Sequence, residues 1–225
     1  MRINSGKKID EINVTISHRI IELFSAGLYS SPNKAFEELV SNSYDAYASK
    51  VGVYLTSDLN ASDAFIWVCD NGESMDQEEL KELWRIGESS KRDKADDGSR
   101  LQIGRFGIGK LSTYVLANEL TYLCKKENRY IITQMDYTRI NKTNDSLILD
   151  EIELSEFEAR TLATKYVKID GKSRVPFKLF GDDSEPAWTL SILTNLKAKA
   201  SEIKEGRLRW VLKTALPMNP NFLLY

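Results

Sequence analysis

Apolar residues recur along the chain with two different periods, and the switches between them mark its elements. Ile9, Ile12, Val14 and Ile16 predict a short extended piece after a loose, polar start over residues 1–8. Ser17 then caps a helical stretch with Ile20, Ile21, Phe24 and Leu28 at helical spacing. His18, the sole histidine, lies in its first turn and is assigned no role. A turn at residues 30–33 leads into a helix over 33–49, and Pro32 suits the start of it. Residues 51–58 and 64–70 are β-branched and aromatic and predict two strands joined by a turn at 59–62. Residues 77–87 are helical, with Leu80, Leu83 and Trp84 on one side. Residues 118–126 and 129–137 predict a hairpin around Glu127-Asn128, and 146–154 a further strand. Residues 155–166 predict a helix with Ser155 as cap and Glu158 at the capping-box position. After a loop over 170–186, an apolar strand is expected at 188–197. A terminal helix follows at 201–215, with Ile203, Leu208, Val211 and Leu212 inward.

Composition narrows the class. With 225 residues, 42% of them hydrophobic, the chain can bury a proper core and form one domain, or one and part of a second. A net charge of −2 argues against a dominant nucleic-acid footprint. Cys69 and Cys124 have no metal or disulfide spacing and sit in apolar runs, so buried free thiols in a reducing cytoplasm are expected. No signal peptide or bilayer-length apolar run is present, so no membrane partner is expected. The apolar stretch LPMNPNFLLY at the end of the chain leads us to expect more protein after Tyr225 in the full gene product. Residues 1–200 are then read as one domain, and 201–225 as its C-terminal helix and the start of the next.

Three stretches carry candidate chemistry. In the helix at 33–49, Glu38, Asn42 and Asp45 fall at i, i+4 and i+7 and line one face. Phe36, Leu39, Val40, Ser43, Ala46 and Tyr47 form the opposite, largely apolar stripe. Taken alone, the polar row is an ordinary solvated face. Asp70 stands at the tip of an apolar strand, followed by a Gly-containing turn. That arrangement delivers a carboxylate to a pocket floor, or is a simple Asp-Asn-Gly turn. Gly104, Gly107 and Gly109 precede a helix predicted to start near Lys110, where exposed N–H groups and the helix dipole favour an anion. Their spacing fits neither the P-loop nor the dinucleotide fingerprint.

In this order and spacing, Glu38-x-x-x-Asn42, Asp70-x-Gly72 and Gly104-x-Phe106-Gly107-x-Gly109 resemble the Bergerat-fold ATPases of the GHKL superfamily. These include type II topoisomerases, heat-shock-90 chaperones, histidine kinases and MutL-type repair proteins, and the chain is also similar to MORC ATPases. LYSSPNKAFEELVSNSYDA is nearest the heat-shock-90 type, and IGESSK and IGRFGIGKLS the MutL and MORC types. The resemblance implies an α+β fold: a two-layer α/β sandwich with a mixed, mostly antiparallel sheet, helices on one face and a mobile ATP lid at 86–103. It implies ATP and Mg²⁺ as cofactors, with Glu38 as general base, Asn42 as the Mg²⁺ ligand, and Asp45 ordering the pocket. Asp70 would accept from the adenine amine, Met75 would line the base pocket, and Thr189 would support Asp70. Gly104, Phe106, Gly107, Ile108, Gly109 and Lys110 would embrace the phosphates. The partners it implies are a nucleotide-dependent homodimer, a downstream domain supplying a Lys or Arg to the phosphates, and nucleic acid through domains outside this sequence. It implies ATP hydrolysis, slow in this fragment, that gates dimerisation or a conformational change. The alternatives are an interaction module with little hydrolysis, or a histidine-kinase-type domain. Two positions depart from the pattern: Ser74 and Trp188 stand where the family usually has glycine.

Overall fold

The computed structural model describes residues 6–15, 31–84, 112–139, 146–215 and 221–225. The predicted helix at 17–28 with His18, the lid at 86–103 and the glycine-rich segment at 104–110 lie outside these residues.

The described strands are β1 (Lys7–Thr15), β2 (Lys50–Leu55), β3 (Ile66–Asp70), β4 (Ala117–Lys126), β5 (Arg129–Asp136), β6 (Ser146–Leu154), the short β7 (Lys168–Ile169) and β8 (Lys172–Ser173), β9 (Trp188–Leu196) and β10 (Leu223–Leu224). The helices are α1 (Asn33–Asp45), α2 (Gln77–Leu83), α3 (Glu156–Val167) and α4 (Glu205–Ala215). Eight strands form one sheet in the order β1-β6-β5-β4-β9-β3-β2-β10. Every pairing in it is antiparallel except β10 with β2. This is the mixed, mostly antiparallel α/β sandwich that the sequence predicts.

Local chemistry explains several elements. Glu127 and Asn128 both have positive φ (51° and 61°), the two-residue turn whose twist matches a β4–β5 hairpin. In α3, Ser155 accepts from the Glu158 N–H while the Glu158 carboxylate accepts from the Ser155 N–H, completing the box. Asp76 and Glu79 build a second box on α2. That box is written in the sequence as Asp-x-x-Glu.

Side-chain alternation sorts the core onto two faces. Ile66 and Val68 of β3, Leu193 of β9 and Leu120, Tyr122 and Cys124 of β4 share one cluster with Phe36, Leu39 and Val40 of α1, Leu80 of α2, and Leu208 and Leu212 of α4. Trp67 and Cys69 of β3, and Trp188, Leu190 and Ile192 of β9, point the other way, to Ala159, Leu162, Ala163 and Val167 of α3. Three of the described helices thus occupy the expected face. The fourth covers the back, because the central strands are apolar on both sides and an uncovered back would leave Trp67 and Trp188 in water.

Several boundaries differ from the sequence reading by a few residues, and three of the differences shape the site's surroundings. α1 stops at Asp45, one turn short of residue 49. The Ala46 carbonyl accepts from the Glu73 N–H at 2.8 Å, and Tyr47 is left-handed (φ 58°) and exposed rather than part of the apolar stripe. α4 starts at Glu205, after a 3₁₀ turn over Ala198–Glu202. Residues 223–224 form an edge strand parallel to β2, with Phe222 packed edge-on against Tyr44 at 5.4 Å.

Candidate functional site

β3 ends at Asp70 on the face carrying α1, α2 and α4. In register beside it stand Thr189 of β9 and then Cys124 of β4. Three residues from three strands therefore make a continuous floor. Asp70 Oδ1 accepts from the Gly72 N–H at 2.9 Å, and Oδ2 accepts from the Ser43 hydroxyl at 2.9 Å. Burial nonetheless pushes the Asp70 carboxyl up to about 6, because those two donors only partly replace the lost water.

Ser43 joins this floor to α1. It sits one residue past Asn42 and five past Glu38, on the helix that Pro32 precedes as N-cap. Ser43 is buried with the apolar stripe, and its hydroxyl has a specific partner that no periodicity reveals. Along α1, Glu38 and Asn42 are half-buried and Asp45 is buried. Lys34 Nζ lies 2.8 Å from Glu37 Oε2 and 3.8 Å from Glu38 Oε1, so a cation accompanies the acidic part of the helix.

Gly72 is needed here. A Cβ on it would lie 2.5 Å from the Ala46 carbonyl oxygen and 3.0 Å from Asp70 Oδ1. The end of α1 and the Asp70 loop thus meet backbone to backbone. Asn71 braces the other side, with Oδ1 accepting from the Ser49 N–H (3.0 Å) and the Lys50 N–H (2.7 Å), while Nδ2 donates to Glu185.

Ser74 has φ 57°, a left-handed conformation that explains why glycine is usual there. Its hydroxyl donates to the Trp188 carbonyl at 2.8 Å and accepts from Thr189 Oγ1 at 3.2 Å. The Trp188 ring, by contrast, is buried on the opposite face of the sheet, its Nε1 donating to the Leu179 carbonyl. The two departures from the family pattern are therefore unlike: one touches the floor, and the other brings only its carbonyl to it. Met75 is half-buried against the core of the α1 face. Cys124 is a buried free thiol, pushed up to about 12 by burial. Its place beside Thr189 was invisible in the sequence, since only strand order sets it.

The predicted phosphate segment from Gly104 to Lys110, with Phe106, Gly107, Ile108 and Gly109, lies outside the described residues. Just after it, Ser112 and Thr113 are fully buried, and Thr113 Oγ1 is 3.1 Å from the Tyr137 hydroxyl. The start of the predicted helix near Lys110 lies outside the described residues; Ser112 is helical, and a 3₁₀ turn follows at Thr113–Val115. Lys197 packs its ammonium on the Tyr114 ring, and burial lowers it to about 8. Lys199 pairs with Glu202 at 2.7 Å. Among the described residues no group of three or more His, Cys, Asp or Glu could hold a metal. Asn42 offers an amide oxygen one helical turn from the Glu38 carboxylate, a hard donor set that fits Mg²⁺ and leaves most of its shell to phosphate and water. No described helix is long and apolar enough to cross a membrane.

A family model described as histidine kinase-, DNA gyrase B- and HSP90-like ATPase matches residues 29–168. The chain is 33% identical over 125 residues to a Herpetosiphon aurantiacus protein provisionally named type II restriction enzyme HgiDII, covering 54% of this chain and 19% of that protein. It is 30% identical over 145 residues to the chaperone protein HtpG of Rhodococcus jostii (strain RHA1), covering 53% and 22%. It is 25% identical over 135 residues to the chaperone protein HtpG of Nocardia farcinica (strain IFM 10152), covering 49% and 20%. The chain spans about a fifth of the length of the curated relatives it matches.

Proposed function

Because the chain belongs to the histidine kinase-, DNA gyrase B- and HSP90-like ATPase family, we propose that it binds ATP between α1 and the Asp70 floor and hydrolyses it with Glu38 as general base. The observation that supports this most is the 2.9 Å bond from Ser43 to Asp70. It fastens the base-reading carboxylate to the helix that carries Glu38 and Asn42, so one rigid unit holds both ends of a nucleotide.

In this reading Asp70, ionised above its titration near 6, accepts from the adenine amine, with Thr189 beside it and Met75 lining the pocket. The amides of Gly104, Gly107 and Gly109, with Phe106, Ile108 and Lys110, surround the phosphates. Asn42 holds Mg²⁺, which neutralises phosphate charge when bound. Glu38 takes a proton from the attacking water. Asp45, buried at the end of α1, stiffens the wall. Residues 86–103 close as a lid, and a Lys or Arg from outside residues 1–200 reaches the phosphates, so this domain alone turns over slowly. Nucleotide-dependent dimerisation is the output. The process it serves is set elsewhere, since relatives with a chaperone name and a restriction-enzyme name align over a fifth of their length.

A second reading, a nucleotide-dependent interaction module with little hydrolysis, is favoured by Lys34. An ammonium 3.8 Å from Glu38 competes for the lone pair that must take the proton of water. Glu38→Ala separates the two. We expect turnover to vanish while ATP binding by calorimetry stays near wild type; turnover that persists in the variant removes Glu38 from the role. Size-exclusion chromatography with ATP, ADP and a non-hydrolysable analogue tests the dimer.

A further inference from the structure

Resting on the ATP reading, we infer that Ser74 sets base selectivity by fixing which way the Thr189 hydroxyl points. Two bonds set the chain of donors. The Trp188 carbonyl can only accept, so the one proton of Ser74 goes to it at 2.8 Å. Toward Thr189, 3.2 Å away, Ser74 can then only accept. The hydroxyl proton of Thr189 is therefore held between Ser74 and the neighbouring Cys124 thiol, and toward a bound base Thr189 offers lone pairs. Asp70, its cross-strand partner, is likewise an acceptor, with the Gly72 N–H and the Ser43 hydroxyl already donating to it.

The floor thus presents acceptors from two adjacent strands and no side-chain donor between them. A 6-amino purine brings two N–H groups to that edge. A 6-oxo purine puts a carbonyl where the amine would donate; its N1–H can still pair with one acceptor, but the 6-oxygen is left facing lone pairs, an unpaired buried contact. Ser74 is able to do this only because it accepts a left-handed backbone (φ 57°) in return for a hydroxyl. With glycine there, the Thr189 hydroxyl is free to turn its proton toward the base and tolerate a carbonyl.

The test is the binding of ATP and inosine triphosphate, which carries a 6-oxo group in place of the amine, to wild type, Ser74→Gly and Ser74→Ala by calorimetry. Glycine adopts the observed φ without strain, so the first variant folds; the second keeps the Cβ and removes only the hydroxyl. We expect wild type to prefer ATP strongly. Both variants should cut the ATP-to-inosine-triphosphate ratio by about tenfold, chiefly through tighter binding of the 6-oxo nucleotide. Selectivity unchanged in both variants, or lowered in Ser74→Gly but not in Ser74→Ala, overturns the inference while leaving the ATP site intact. Wild type that binds neither nucleotide overturns the ATP reading beneath it.

Discussion

Replacing Asp70 with Asn should stabilise the nucleotide-free domain while it destroys the site. Asp70 titrates near 3.8 when exposed and near 6 in the fold, where burial penalises its charge. A native carboxyl raised in this way contributes stability that is complete below about pH 4 and is lost as pH rises through about 6. At about 1.4 kcal/mol per pH unit, the ionised form costs about 3 kcal/mol at neutral pH. Asparagine has no such cost, and the surroundings accept it. Its Oδ1 keeps the Gly72 N–H, its Nδ2 donates to Ser43 Oγ, and the Ser43 proton turns to the Leu39 carbonyl, 3.2 Å away. Urea unfolding followed by circular dichroism should place Asp70→Asn about 2–3 kcal/mol above wild type near pH 8, with the two converging near pH 4. Calorimetry should show at least a tenfold loss of ATP affinity, about 1.4 kcal/mol or more, because an acceptor facing the amine has become a donor. Equal stability near pH 8, or a gain that persists undiminished near pH 4, would refute the assignment of the penalty to this buried charge. The other acids titrate in both proteins, so the difference isolates Asp70.

Two further outcomes follow from the same geometry. Gly72→Ala should lose about 1–3 kcal/mol of stability and weaken ATP binding, since its Cβ would meet the Ala46 carbonyl oxygen at 2.5 Å; unfolding and binding curves indistinguishable from wild type would show that the α1–loop contact is slack. Glu151 is fully buried on β6, and burial pushes it up to about 7 because Lys81 and Gln77 only partly offset the lost water. Its contribution is therefore whole below about pH 4.5 and is lost as pH rises through about 7, so Glu151→Gln should gain about 2–3 kcal/mol near pH 8.5 and nothing near pH 4, with ATP affinity unchanged.

Much of the site is legible in the sequence, because its members announce themselves locally. Glu38 and Asn42 share a helix face by spacing alone, and Asp70 declares itself as a lone acid ending an apolar strand. The residues whose partners are not legible locally are small and polar. Ser43 falls inside an apolar stripe, Ser74 departs from the family pattern, and Cys124 lies in an apolar run. Each acts through a partner far away in the chain: Asp70 is 27 residues from Ser43, and Thr189 is 115 from Ser74. A hydroxyl that packs and a hydroxyl that directs look the same until its neighbour is known.

Most of the described strands and helices, the turn of the β4–β5 hairpin, the cap of α3 and the order of the motifs are legible in the sequence. These follow from backbone hydrogen bonding and side-chain periods that act within a few residues. The family resemblance implies Thr189 next to Asp70, but that β9 lies between β3 and β4, with Cys124 on the far side of Thr189, is a matter of strand order in the folded sheet. Only the tertiary structure decided that α3 covers the back of the sheet, that α1 ends at Asp45 to free a carbonyl for the Asp70 loop, and that Trp188 faces away from the floor. Strand order and packing face are choices among non-local partners, settled by which arrangement buries both sides of the central strands and satisfies the polar groups at their ends.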